Sequence, residues 1–252
     1  MAKPYNQVVL FGDSLFQGCS GVQNGFSFQG ALQHLCVRGL DVINRGFSGY
    51  NTKNALEILP QVFLPPSPST PRIEYLIVLL GANDACLPIP TSTQGVSLEQ
   101  YKENLTRIIT HDLIQAHKPK ILLVTPPPLD EITSFRLDLA NGNHKEPCRK
   151  AAVSAQYSQT VRDIAKEVPG IVLIDLQKTL MDYAIKKTPD FDAKGPLLGY
   201  PESEGGQSGA FEQLLPDGLH MSGEAYEVLF NIIQPHIESA TLNFPDWRVM
   251  NP

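Results

Sequence analysis

Short apolar runs and longer amphipathic ones alternate along this chain. Runs rich in Val, Ile and Leu occupy 7–11, 41–44, 75–80, 120–125 and 171–175, and most are nearly unbroken by polar residues. Runs of that length and evenness predict strands of a parallel sheet covered on both faces. Apolar positions at helical spacing fall in 26–37, 52–63, 98–117, 150–167 and 223–239. In the longest of these, Leu105, Ile108, Ile109 and Leu113 share one side. The alternation predicts a three-layer α/β/α sandwich on a five-stranded parallel sheet, with right-handed crossovers.

Two segments interrupt the rhythm. LPPSPSTPR, at 64–72, is a proline-rich loop between a helix and a strand. Residues 188–213 are rich in Gly and Pro with no sustained period. A loop of that length reads equally as a lid over a site or as a surface insertion. No internal repeat and no linker between two cores is visible, so residues 1–252 read as one domain.

Composition narrows the class of function. The chain is 42% hydrophobic and 18% charged, and its net charge of −6 comes with no Lys/Arg stripe. That balance argues against nucleic acid and anionic membranes as partners. Cys19, Cys36, Cys86 and Cys148 form no CxxC pair and no metal-ligand spacing. They fit buried thiols in a reducing compartment. The N-terminal text shows no secretion signal, and no run of 18 apolar residues occurs, so the cytoplasm is the expected location and membrane insertion is not expected.

In an open parallel sheet, ligands bind at the carboxyl ends of the strands. After the first predicted strand comes Gly12-Asp13-Ser14, where Gly12 is expected to let the chain turn sharply off the strand. Gly46 and Gly49 follow the second strand in RGFSGYNT, and GANDA, with Asn83, follows the third. LLPDGLHMSG precedes the last predicted helix and carries Asp217 and His220. Each piece alone has a plain structural explanation. Ser14 could cap a helix, DxxH could be a surface turn, Asn83 could hold a turn, and Gly49 could serve a positive φ. Together they hold the parts of an acyl-transfer site: a serine, a histidine base, an acid to orient it, and fixed donors for an oxyanion.

These four blocks, in this order, resemble those of the SGNH (GDSL-type) hydrolase family. Within it, FGDSL, RGFSGYNTKNALEILP, LLGANDAC and LLPDGLHMSGEAY are most similar to the isoamyl acetate-hydrolysing esterases. The resemblance implies a flavodoxin-like sandwich and hydrolysis of small carboxylic esters. Ser14 would be the nucleophile, His220 the base and Asp217 its orienting acid. The oxyanion donors would be the Ser14 and Gly49 N–H groups and the Asn83 amide. Gly46 competes with Gly49 for that role, and Gly49 is preferred because the family glycine follows the Ser of an SG pair. Asp13 and Asp84 are expected to brace loops. The resemblance implies no cofactor and no metal, water as second substrate, and leaves a homodimer through the C-terminal tail open.

Rival functions remain on the page. Thioesterases, lysophospholipases and carbohydrate O-deacetylases use the same blocks, and only the pocket chooses among them. A metallophosphoesterase is suggested by Gly12-Asp13 and by GNH at 142–144, but no Asp-x-His occurs to supply its ligands. A non-catalytic binding protein would be expected to have lost the nucleophile or the base, and this chain keeps both.

Overall fold

The computed structural model describes residues 5–238. Five strands form one sheet: β1 (Asn6–Gly12), β2 (Leu40–Gly46), β3 (Ile73–Leu79), β4 (Lys120–Val124) and β5 (Ile171–Ile174). All pairings are parallel, in the spatial order β2-β1-β3-β4-β5. The strand order reverses beside β1, so the crevice at the carboxyl ends of β1, β2 and β3 lies at a topological switch point.

Among the described residues, ten helices accompany the sheet: α1 (Ser14–Gln17), α2 (Phe28–Leu35), α3 (Thr52–Val62), α4 (Leu98–Ile109), α5 (Asp112–Gln115), α6 (Glu131–Ala140), α7 (Ala151–Glu167), α8 (Leu176–Lys186), α9 (Phe211–Leu214) and α10 (Gly223–Ile233). The period-2 alternation of the strands divides the core in two. Val8, Leu10, Ile77, Leu79, Leu122 and Val124 face Phe28 and Leu32 of α2, Leu180 of α8 and Leu229 of α10. Val9, Phe11, Leu76, Val78, Ile121 and Leu123 face Leu59 of α3, Leu105 and Ile108 of α4, and Val161 of α7. This is the expected three-layer sandwich.

The differences from the sequence reading are local. The helical stretch 98–117 breaks after Ile109, because the His111 side chain accepts from Leu113 N–H and starts α5 afresh. The last helix ends at Ile233 and continues as one 3₁₀ turn over Gln234–His236. Ser239 and the C-terminal tail lie outside the described residues. Helices α6 and α8 and the one-turn α1 and α9 lie outside the expected helical stretches, and α6 and α8 each start where an aspartate, Asp130 or Asp175, caps the first turn. Within 188–213, Gly199 and Ser208 are tied to the loop after β4: Glu131 N–H donates to Gly199 O at 2.9 Å and Ser208 Oγ to Asp130 Oδ1 at 2.9 Å.

Candidate active site

The position of Ser14, the candidate nucleophile, is built by steric exclusion. Gly12 ends β1 paired to Gly46 on one side and Leu79 on the other. A Cβ on Gly12 would stand 2.3 Å from the Leu79 carbonyl oxygen, and one on Gly46 2.1 Å from Gln17 N. Gly12 is not among the residues with positive φ. Its freedom is therefore used for close approach and not for the sharp turn expected of it. Asp13, fully buried, takes the N-cap of α1 by accepting from Leu15 N–H at 2.9 Å. Because Asp13 caps the helix, Ser14 is left as its first residue with a free side chain.

That side chain meets histidine. Ser14 Oγ lies 2.8 Å from His220 Nε2, and His220 Nδ1 lies 2.6 Å from Asp217 Oδ2. The other carboxylate oxygen of Asp217 accepts from the Leu219 and His220 backbone N–H groups at 2.9 and 2.7 Å. One four-residue turn thus holds both Asp217 and His220. Burial opposes the charge on Asp217, but the bonds from the His220 ring and backbone outweigh it and bring the carboxyl down to about 2. The bond to Asp217 raises His220 above its ordinary value, against a smaller opposing effect of burial. An ionised Asp217 holds the Nδ1–H tautomer, which leaves Nε2 as an acceptor for the serine proton. Tyr226 of α10 donates to the Leu15 carbonyl at 2.6 Å, so the helix after the histidine loop is bolted to the turn that carries Ser14.

The candidate oxyanion donors follow the three adjacent strand ends. Gly49 has φ +81° and its carbonyl accepts from Gln94 Nε2 at 3.0 Å. Its competitor Gly46 spends its N–H on Asn44 Oδ1 at 2.9 Å, whereas no backbone hydrogen bond among the described residues uses the Gly49 N–H. Asn83, buried, donates from Nδ2 to the Tyr50 carbonyl at 2.9 Å, which leaves its second amide hydrogen uncommitted. Asp84 accepts from Thr52 N–H at 3.0 Å and from Thr52 Oγ1 at 2.5 Å, the bracing role expected of it.

Burial pushes the Asp13 carboxyl up to about 7, with the Leu15 bond opposing and the nearby Asp84 reinforcing, and leaves its Oδ2 without a partner. Burial likewise pushes Asp84 up to about 6.

Arg149 was not foreseen. Its Nε donates to the Ala82 carbonyl at 3.0 Å and its Nη2 to Asn83 Oδ1 at 3.2 Å. No sequence signal could have found it, because it sits 66 positions from Asn83 in no motif. The cluster of Asp138, His144 and Cys148 shares no residue with the Ser14–His220–Asp217 chain. Each of its members has a protein partner: Cys148 Sγ lies 3.3 Å from Asp138 Oδ2, and His144 Nδ1 2.7 Å from Thr91 Oγ1. Among the described residues no helix is long and apolar enough to cross a membrane.

Comparison with known proteins identifies the family. The profile of the GDSL-like lipase/acylhydrolase family matches residues 10–228. The isoamyl acetate-hydrolyzing esterase 1 homolog of Bos taurus is 30% identical over 245 residues, covering 95% of this chain and 84% of the relative. The isoamyl acetate-hydrolyzing esterase of Saccharomyces cerevisiae is 25% identical over 259 residues, covering 97% and 94%. Among solved structures, the acetyl xylan esterase AlAXEase superposes with a TM-score of 0.63 at 18% identity, covering 92% of this chain and all of that one, a likeness of fold. With the profile spanning most of the chain and curated relatives matching nearly end to end, this protein belongs to the GDSL-like lipase/acylhydrolase family and is a carboxylic ester hydrolase.

Proposed function

We propose that this protein is a serine esterase that hydrolyses small carboxylic esters, above all acetate esters of short alcohols such as isoamyl acetate, through an acyl-enzyme on Ser14. The observation that carries the mechanism is the unbroken chain from Ser14 Oγ through His220 to Asp217. The nearly full-length similarity to isoamyl acetate-hydrolyzing relatives supports the substrate class.

In this reading His220 Nε2 takes the Ser14 proton as Oγ bonds to the ester carbonyl carbon. The carbonyl electron pair moves to oxygen, where the Ser14 and Gly49 N–H groups and the second Asn83 amide hydrogen receive the charge. The Ser14 N–H belongs to the first turn of α1 and has no intrahelical acceptor. The tetrahedral species collapses, the C–O bond to the alcohol breaks, and His220 gives that alcohol its proton. Water then attacks the acyl-enzyme with His220 again as base, and Ser14 leaves with the proton returned. Water is the only co-reactant, and no metal or organic cofactor enters a step. The His220 side chain is 46% exposed, so water reaches the base directly.

Hydrolysis of p-nitrophenyl esters from acetate to octanoate, by wild type and Ser14→Ala in the presence of EDTA, tests this. Acetate should be cleaved fastest, activity should fall with acyl length, and Ser14→Ala should lose about 10⁴-fold or more. Undiminished activity in Ser14→Ala sinks the mechanism, and preference for octanoate sinks the substrate class.

A further inference from the structure

We infer that Arg149 is a positioning residue for catalysis: its guanidinium fork holds the Asn83 amide in the one orientation that aims an N–H at the oxyanion. The inference rests on the proposed role of Asn83.

A carboxamide has two ends of similar shape and opposite hydrogen-bonding character. Either end could face the reacting ester unless neighbours choose. At Asn83 two neighbours choose, and they agree. Nη2 of Arg149, which can only donate, faces Oδ1 at 3.2 Å, and the Tyr50 carbonyl, which can only accept, faces Nδ2 at 2.9 Å. Turning the amide over would set donor against donor and acceptor against acceptor, both out of bulk water, since Asn83 is 4% exposed. Of these two contacts, only the Arg149 one depends on a side chain.

The grip is a fork. Nε donates to the Ala82 carbonyl at 3.0 Å while Nη2 holds Asn83, so one planar group spans two consecutive residues of the turn after β3. Five donors in a rigid plane make this natural for Arg and impossible for Lys, which presents a single ammonium. The neighbouring backbone is tied to the same turn, with Leu87 N–H donating to the Cys148 carbonyl at 2.7 Å. The guanidinium thus arrives from the N-terminal side of α7 on a segment already docked to the loop it orients.

The charge has a second consequence. Among the groups near it, Asp217 and, when ionised, Asp13 favour the protonated form of His220, and Arg149 disfavours it. Removing the Arg149 charge should move the acid limb of the pH–rate profile to higher pH. Replacing Arg149 by Lys should leave that limb in place.

The experiment is a double-mutant cycle on p-nitrophenyl acetate hydrolysis, with kcat, KM, pH profile and Tm measured for wild type, Asn83→Ala, Arg149→Met, the double variant and Arg149→Lys. Loss of one oxyanion donor costs about 10²–10³ in kcat, so a donor left free to misorient should cost about 10–100-fold, with KM little changed. The double variant should be no slower than Asn83→Ala alone, because Arg149 acts through that amide. If the Arg149→Met factor instead multiplies in full on the Asn83→Ala background, or Arg149→Met retains wild-type kcat, the inference is overturned. Should Arg149→Met not fold, Arg149→Lys decides: an unshifted acid limb with reduced kcat supports the fork, and full activity overturns it. Wild-type kcat in Asn83→Ala overturns the reading of Asn83 as a donor. The Ser14→Ala comparison tests the esterase mechanism independently of both.

Discussion

The two aspartates beside the reacting groups behave oppositely, for reasons visible in their partners. Asp217 receives one side-chain and two backbone bonds and is held to about 2, so it is ionised wherever the enzyme works. Asp217→Asn removes that charge and permits the wrong His220 tautomer. We expect a fall in kcat of roughly 10⁴-fold. The acid limb of any residual activity should shift to lower pH, because the main cause of the raised His220 value is gone; a pH–rate profile checks both. Asp13 is buried with one oxygen unpartnered, and its protonated form is favoured in the folded chain. Its folded value of about 7 lies above the ordinary 3.8. The stability it contributes is complete below about pH 4 and is lost as pH rises through about 7. Asp13→Asn should therefore melt higher than wild type at pH 8, by about 1 kcal/mol or more, which is roughly 2–4 °C, while the difference closes near pH 4. A Tm series across that range measures it.

At the scale of elements, the site depends on how closely α1 can lie against β2. Gly46 gives its space to the Phe16–Gln17 backbone, and its N–H is tied to Asn44, whose Nδ2 in turn donates to the Phe16 carbonyl at 2.7 Å. A methyl there must displace backbone and not a flexible side chain. Gly46→Ala should cost about 1–3 kcal/mol and lower kcat, by moving Ser14 away from His220. Chemical denaturation and kcat on the same preparation test the pair of effects together. The two longer helices outside the expected stretches, α6 and α8, have a common explanation. The apolar residues of α6 do not line one face well enough to show in a single sequence, and α8 follows β5 with only Asp175 between them. Their caps were present in the text, but Asp130 and Asp175 become recognisable as caps only once the strands before them are placed.

At the scale of the molecule, both cores share one sheet, and adjacent residues of each strand face opposite layers. Neither layer can lose its helices without exposing the strands that the other packs against. We expect one unfolding transition, with near- and far-ultraviolet circular dichroism coinciding in urea; two separated transitions would show that the layers unfold independently. The same sheet brings the site together. Ser14, Gly49 and Asn83 follow three neighbouring strands, and Tyr226 of α10, bonded to the Leu15 carbonyl, anchors the chain just after the His220 loop, 206 residues from Ser14, against α1.

Layer class, strand positions and the candidate site residues were legible in the sequence, because strand period and the four blocks are local properties of the chain. Ser14, Asp217 and His220 could be named, and the structure joins them by hydrogen bonds. The choice between Gly46 and Gly49 could only be argued by resemblance, since it turns on which N–H is already consumed, and the Asn44 side chain two residues away takes that of Gly46 only in the folded conformation. The tertiary structure alone decided that Asp13 rather than Ser14 caps α1, that Gly12 is needed for space rather than for a turn, and that Arg149 reaches the Asn83 amide. The Asp13 cap is a local contact that forms only once the end of β1 is set, whereas the Gly12 and Arg149 contacts join segments far apart in the chain and exist only after the sheet has set the strand order.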